Sequence, residues 1–106
     1  MIEQLASDLG LSNVDVARTM DVSVRTIERW RSGLAYPQTE ARQRLATLVV
    51  LRSRLLETFA TIEAGREWLW TGNRYLGGLS PVDALRTGHI DRVDAALEAL
   101  DSGIFI

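Results

Sequence analysis

The 106 residues contain no cysteine and no lysine. The first absence excludes disulfides, zinc–cysteine centres and thiol nucleophiles together. The second makes every one of the 12 basic residues an arginine. Proline occurs twice and histidine once, so helix breaks are few and histidine metal clusters have no material. No Gly-rich phosphate loop and no His/Glu metal spacing is present. His89 falls in a turn between two expected helices, and nearby Asp91 and Asp94 read as a helix's polar face. An enzyme is therefore not expected, and neither a cofactor nor a metal. The longest apolar run, Leu48-Val49-Val50-Leu51, is too short to span a bilayer. The opening MIEQLASDLG has no basic n-region and no apolar h-region, so no signal peptide is expected. A soluble cytoplasmic protein follows as the expectation.

Apolar residues make up 46% of the chain, enough for a packed core. The net charge of -2 hides an uneven distribution. Residues 11–56 carry eight Arg against four Asp/Glu, whereas residues 57–106 carry four Arg against eight Asp/Glu. Charge asymmetry between halves suggests a different partner for each. Two regions are accordingly expected, 1–57 and 58–106.

Local signals predict helices throughout. Ile2, Leu5, Ala6 and Leu9 follow helical spacing, and Gly10 stops them. Ser12 to Asp15 reads as a capping box, with Asp in place of Glu. Val16, Ala17 and Met20 face inward. A break falls at Asp21-Val22, and Ser23 caps a third helix closed by Gly33. Pro37 puts residues 33–38 in a loop, after which Thr39 is expected to cap a helix of roughly twenty residues. Its buried stripe reads as Leu45, Leu48, Val49, Leu55, Leu56 and Phe59. A further helix covers Ile62 to Trp70. Ser80-Pro81-Val82-Asp83 starts another that Gly88 ends. The last helix presents Ile90, Val93, Leu97 and Leu100, and Gly103 ends it. No segment alternates with period two, so the fold is expected to be all-α.

Residues 13–32 meet the demands of a helix-turn-helix. Ala17 is small where two helices cross, while Val16, Met20, Val22, Ile27 and Trp30 surround the crossing. Asp21 occupies the turn position that needs a positive φ, which Asp tolerates better than most residues. With Ile27 and Trp30 inward, the third helix shows Val24, Arg25, Glu28 and Arg29 outward. In such motifs this helix enters the major groove, where Arg pairs bidentately with guanine. Val24 suits a thymine methyl. Asn13 and Ser23 sit at helix N-termini and Arg18 close by, all suited to phosphate contact. The alternative for Arg25 and Arg29 is salt bridging to Asp21 or Glu28.

The second half carries Trp68-Leu69-Trp70-Thr71-Gly72-Asn73-Arg74-Tyr75-Leu76-Gly77-Gly78-Leu79-Ser80-Pro81, then Leu85, Gly88, Val93, Leu97 and Gly103-Ile104-Phe105-Ile106. Together with Arg29-Trp30-Arg31, Gly33 and Pro37, this order resembles the Xre/MbcA/ParS antitoxin family over nearly the whole chain. One departure is Gly72, where relatives usually carry proline. The resemblance implies an Xre-like helix-turn-helix bundle joined by a long helix to a toxin-binding region. It implies an antitoxin that neutralises an NAD-degrading RES-domain toxin by blocking its active-site entrance. It also implies homodimers that repress their own operon by binding operator DNA. The toxin-binding candidates are Trp70, Arg74, Tyr75, Gly103, Ile104, Phe105 and Ile106. Trp68 is expected to be buried and Trp70 partly exposed. Asn73 reads as a turn former, and Arg74, Arg86 and Arg92 as solvated or facing an acidic partner. The apolar tail has two readings, folding back on its own core or inserting into a partner's cleft. A stand-alone dimeric helix-turn-helix regulator without a toxin is the competing function, and an interaction adaptor with a decayed helix-turn-helix comes after it.

Overall fold

The helices that open at Asn13, Val24, Ile62 and Pro81 are each preceded by a Ser or Thr whose side chain satisfies an otherwise orphaned amide. The computed structural model describes residues 2–103, and among these there are seven α-helices and one short 3-10 turn. The expected Ile104, Phe105 and Ile106 contacts lie outside the described residues. Helix α1 spans Ile2–Leu9 and α2 spans Asn13–Met20. Ser12 Oγ accepts from the Asp15 amide at 3.2 Å, and Asp15 Oδ2 accepts from the Ser12 amide at 3.0 Å. This reciprocal pair closes the capping box. Helix α2 ends at Asp21, the one described non-glycine residue with positive φ (57°). Helix α3 spans Val24–Arg31, with Ser23 Oγ accepting from the Thr26 amide at 3.1 Å.

Helix α4 spans Thr39–Thr58. Two expectations about it need correction. Thr39 is its first helical residue rather than its cap; Gln38 holds the extended cap position and gives no side-chain bond. The buried stripe is Leu45, Leu48, Leu51 and Leu55, while Leu56 is 44% exposed and Val49 only half-buried. Helix α5 spans Ile62–Leu69, a 3-10 turn Arg74–Leu76, α6 Pro81–Arg86 and α7 Ile90–Asp101. Ser80 and Asp83 form a second capping box, with Pro81 at the first helical position.

The packing order interleaves the two halves of the chain. Helix α1 lies on α4 and α5, and α2 lies on α3 and α6. Helix α4 also packs on α7, and α6 on α7. One apolar cluster runs from Leu9 and Ile27 through Leu48, Leu51 and Leu55 to Leu69, Leu85, Val93 and Leu97. Each such leucine, fully withdrawn from water, contributes about 1.5–3 kcal/mol. The cluster therefore anchors α3 at one end and the turn after α5 at the other.

Candidate functional site

Helix α3 is held by one deeply buried side chain and two shallow ones. Ile27 is 0% exposed, and Val24 and Trp30 are partly buried against the same core. Val24 thus leans inward, in contrast to the outward position expected of it. Trp30 is half-buried rather than enclosed, with one flank on a cleft shared with Ile2, Tyr36 and Pro37. Arg25, Glu28 and Arg29 remain on the exposed face. Among the described residues neither Arg25 nor Arg29 has an ion pair or hydrogen bond through its guanidinium, so the salt bridges to Asp21 and Glu28 are not formed. The two positions lie four apart on one helix and share a side. Arg31 points elsewhere: its Nη1 donates to Asn13 Oδ1 at 2.6 Å and its Nη2 to Glu3 at 3.3 Å.

Four further candidates on this half are placed as follows. Asn13 opens α2, with its Oδ1 occupied by Arg31. Ser23 opens α3, with its Oγ engaged by the Thr26 amide and hydroxyl. The exposed Arg18 lies on the α2 flank that faces the second half. There it lines a cleft of about 330 Å³ with Leu76, Leu79, Thr87 and Arg92. Arg18 is therefore not brought beside Arg25 and Arg29 by that cleft.

On the second half, Trp70 is 41% exposed, as expected of it, yet it is tied down. Its Nε1–H donates to the Leu9 carbonyl at 3.2 Å, and the Arg86 guanidinium sits 5.2 Å from the ring centroid. Trp68 is half-buried rather than enclosed, tilted 41° against Phe59 with centroids 6.0 Å apart. Arg74 and Tyr75 lie exposed on the 3-10 turn. Asn73 forms that turn, its Oδ1 accepting from the Tyr75 amide at 2.8 Å. Gly103 follows α7, exposed and with φ of 70°.

Arg86 is neither solvated nor free for a partner. Its Nε donates to Asp15 Oδ1 at 2.7 Å, and Asp15 is 5% exposed. Burial pushes the Asp15 carboxyl up, but the Ser12 amide, Arg86 and the Ser12 hydroxyl together hold it below the usual value. One carboxylate thus caps α2 and clamps α6. Asp15 was legible as a cap; nothing local in the sequence marks its second role, because Arg86 is 71 positions away. Among the described residues no group of three or more His, Cys, Asp or Glu side chains could hold a metal.

No family model matches the chain. Comparison with curated proteins is more informative. The chain is 34% identical over 98 residues to the mycobacterial cidal antitoxin MbcA of Mycobacterium tuberculosis and of Mycobacterium bovis, covering 92% of this chain and 86% of each relative. It is 35% identical over 97 residues to a probable mycobacterial cidal antitoxin of M. tuberculosis, covering 92% and 82%. Among solved structures it is similar to a chain of the M. tuberculosis MbcT–MbcA toxin–antitoxin complex. That match has a TM-score of 0.70 and 30% identity over 99% of this chain and 94% of the other.

Proposed function

Since the chain belongs to the MbcA family of toxin–antitoxin antitoxins, we propose that it binds and neutralises a cognate RES-class toxin, an enzyme that degrades NAD, by covering that enzyme's active-site entrance. It acts as a homodimer and represses its own operon through α3. The protein is an antitoxin and not an enzyme. The observation that carries the reading is the match over 99% of this chain to a component of a toxin–antitoxin complex, so both halves have a counterpart there. Exposed Arg25 and Arg29 support the operator contact, because guanidinium groups without internal partners are available to phosphate and guanine. Arg74 and Tyr75 on the 3-10 turn, Trp70 beside it, and Gly103 with Ile104–Ile106 are the residues through which the toxin is proposed to be held. No described helix is long and apolar enough to cross a membrane.

The test is co-expression with the product of the adjacent gene, reading growth and cellular NAD. Both are expected to stay at the level of toxin-free cells. Collapse of NAD despite an excess of folded antitoxin would end the toxin reading. Sequence-specific binding to the upstream promoter under those circumstances would favour the stand-alone regulator instead.

A further inference from the structure

Two clefts meet at Leu76 and Arg92. One, of about 330 Å³, lies between α2 and α6 and is bordered by Arg18, Leu79 and Thr87. The other, of about 420 Å³, lies between the 3-10 turn and α7 and is bordered by Tyr75, Gly77 and Asp91. Because they share two walls, they form one trough from the first half of the chain past the 3-10 turn to α7. The wall is apolar at its middle, where Leu76 is half-buried and Leu79 is 55% exposed. The charge of the trough is out of keeping with its surroundings. Residues 57–106 carry only four arginines against eight acids, yet Arg86 and Arg92 both border it, and Arg18 joins them from α2. Arg86 is neutralised by Asp15 at 2.7 Å and Asp83 at 3.6 Å. Arg18 and Arg92 are not: among the described residues neither guanidinium makes an ion pair or hydrogen bond. Asp91, next to Arg92, lies 4.0 Å from His89 instead.

We infer that this trough receives an extended acidic and apolar segment of the partner toxin, with Arg18 and Arg92 gripping its carboxylates and Leu79 its apolar side chains. The inference rests on the toxin reading above and extends that contact to the first half of the chain. Guanidinium groups pair bidentately with carboxylates, and the bare leucine carbon gains by burial. The trough is continuous with Tyr75, already proposed as a toxin contact, so one partner covers both without a gap. Two clefts in line suit a length of chain better than a single small anion. A DNA phosphate brings no apolar surface to set against Leu76 and Leu79, and the bases are met by α3. Arg18 therefore serves protein recognition, in contrast to the phosphate contact expected from its place in the helix-turn-helix.

The experiment is binding kinetics of the purified product of the adjacent gene to the immobilised full chain at several salt concentrations, with circular dichroism confirming folding. Wild type is compared with Arg18→Gln, Arg92→Gln, Leu79→Asp and, as a control outside the trough, Arg42→Gln. Arg18→Gln and Arg92→Gln are each expected to weaken binding about tenfold, with slower association and a flatter salt dependence, since interfacial charges act on the encounter rate. Leu79→Asp is expected to weaken it further, because it sets an anion against the acidic segment. Arg42→Gln is expected to match wild type. Unchanged toxin affinity in Arg18→Gln or in Arg92→Gln would overturn the trough while leaving the toxin reading intact. A change in promoter binding or in self-association in their place would hand the trough to DNA or to a second copy, and overturn it likewise. Equal weakening by Arg42→Gln would mean general attraction between opposite charges and no seated segment. A wild type that binds no toxin would remove the toxin reading itself, and this inference with it.

Discussion

Asp15 shows how one side chain can serve two elements. It is buried, accepts from the Ser12 amide, and accepts from Arg86 across the boundary between the two halves. Removing its charge while keeping its shape weakens both bonds without opening a cavity. Asp15→Asn should cost about 1–3 kcal/mol, since bonds to a charged acceptor are the stronger kind. The sign of the pH dependence follows from the lowered carboxyl. Its contribution is fully present above the unfolded value, about 3.9, and is lost as pH falls through the folded value. Thermal melts should therefore show a gap between wild type and Asp15→Asn at pH 7 that narrows below about pH 4. A gap that stays constant down to pH 2 would mean the ionised form matters little. Gly72 is the other informative residue. A Cβ there would lie 2.8 Å from the Gly78 carbonyl oxygen, which is backbone and cannot swing aside. The turn beyond it is closed by the Asn73 amide donating to Leu79 and the Gly78 amide donating to Asn73. In this chain the glycine is thus required by close approach, and backbone bonds close the turn without proline. Gly72→Ala should lose about 1–3 kcal/mol of stability, read in the same melts.

At the scale of elements, α3 separates a packed face from an exposed one. Ile27 anchors it, and Arg25 and Arg29 take no part in the packing. Arg25→Ala and Arg29→Ala should each leave the melting temperature nearly unchanged, because exposed positions without partners contribute little to stability. Each should reduce operator affinity by about 1–3 kcal/mol if it reads guanine. If it meets only phosphate, the salt dependence should flatten by about one unit of slope instead. A fluorescence titration at several salt concentrations distinguishes the two, and unchanged affinity in both variants would remove α3 from DNA recognition. The helices themselves were readable because their boundaries are local chemistry. Ser12 with Asp15, Ser23, and Ser80-Pro81 with Asp83 each mark a start, and Gly10, Gly33 and Gly88 each mark a stop. The phase of α4 was harder to read because Leu48-Val49-Val50-Leu51 is apolar all round and offers no contrast between faces. Only tertiary packing decides that Leu51 goes inward and Leu56 outward. Likewise the inward lean of Val24 depends on what lies beneath α3, and the Arg86 clamp on a partner remote in sequence.

The molecule as a whole is less divisible than its charge distribution suggests. Residues 11–56 are basic and residues 57–106 acidic, yet α1 is packed on α5, α2 on α6, and a single apolar cluster crosses the boundary. Polar ties follow the same route. Trp70 donates to Leu9, Arg66 to the Asp8 and Ser7 carbonyls, and Arg54 reaches Asp94 and Glu98. A segment comprising residues 1–57 alone would expose the leucines that α5, α6 and α7 cover. Fragments that small are already marginal, since they bury a low fraction of their surface. Two regions that contact different partners would then still fold as one unit. The tryptophans permit a direct check, with Trp30 in the first half and Trp68 and Trp70 in the second. In a Trp68→Phe/Trp70→Phe variant, fluorescence reports on the first half; in Trp30→Phe it reports on the second. Because each set of substitutions shifts stability by itself, each fluorescence melt is compared with the circular dichroism melt of the same variant. Coincident curves within each variant are expected. A first half that melts apart from the helical signal would mean that it is an independent domain, and that an event on the second half cannot be felt at α3 through the shared core.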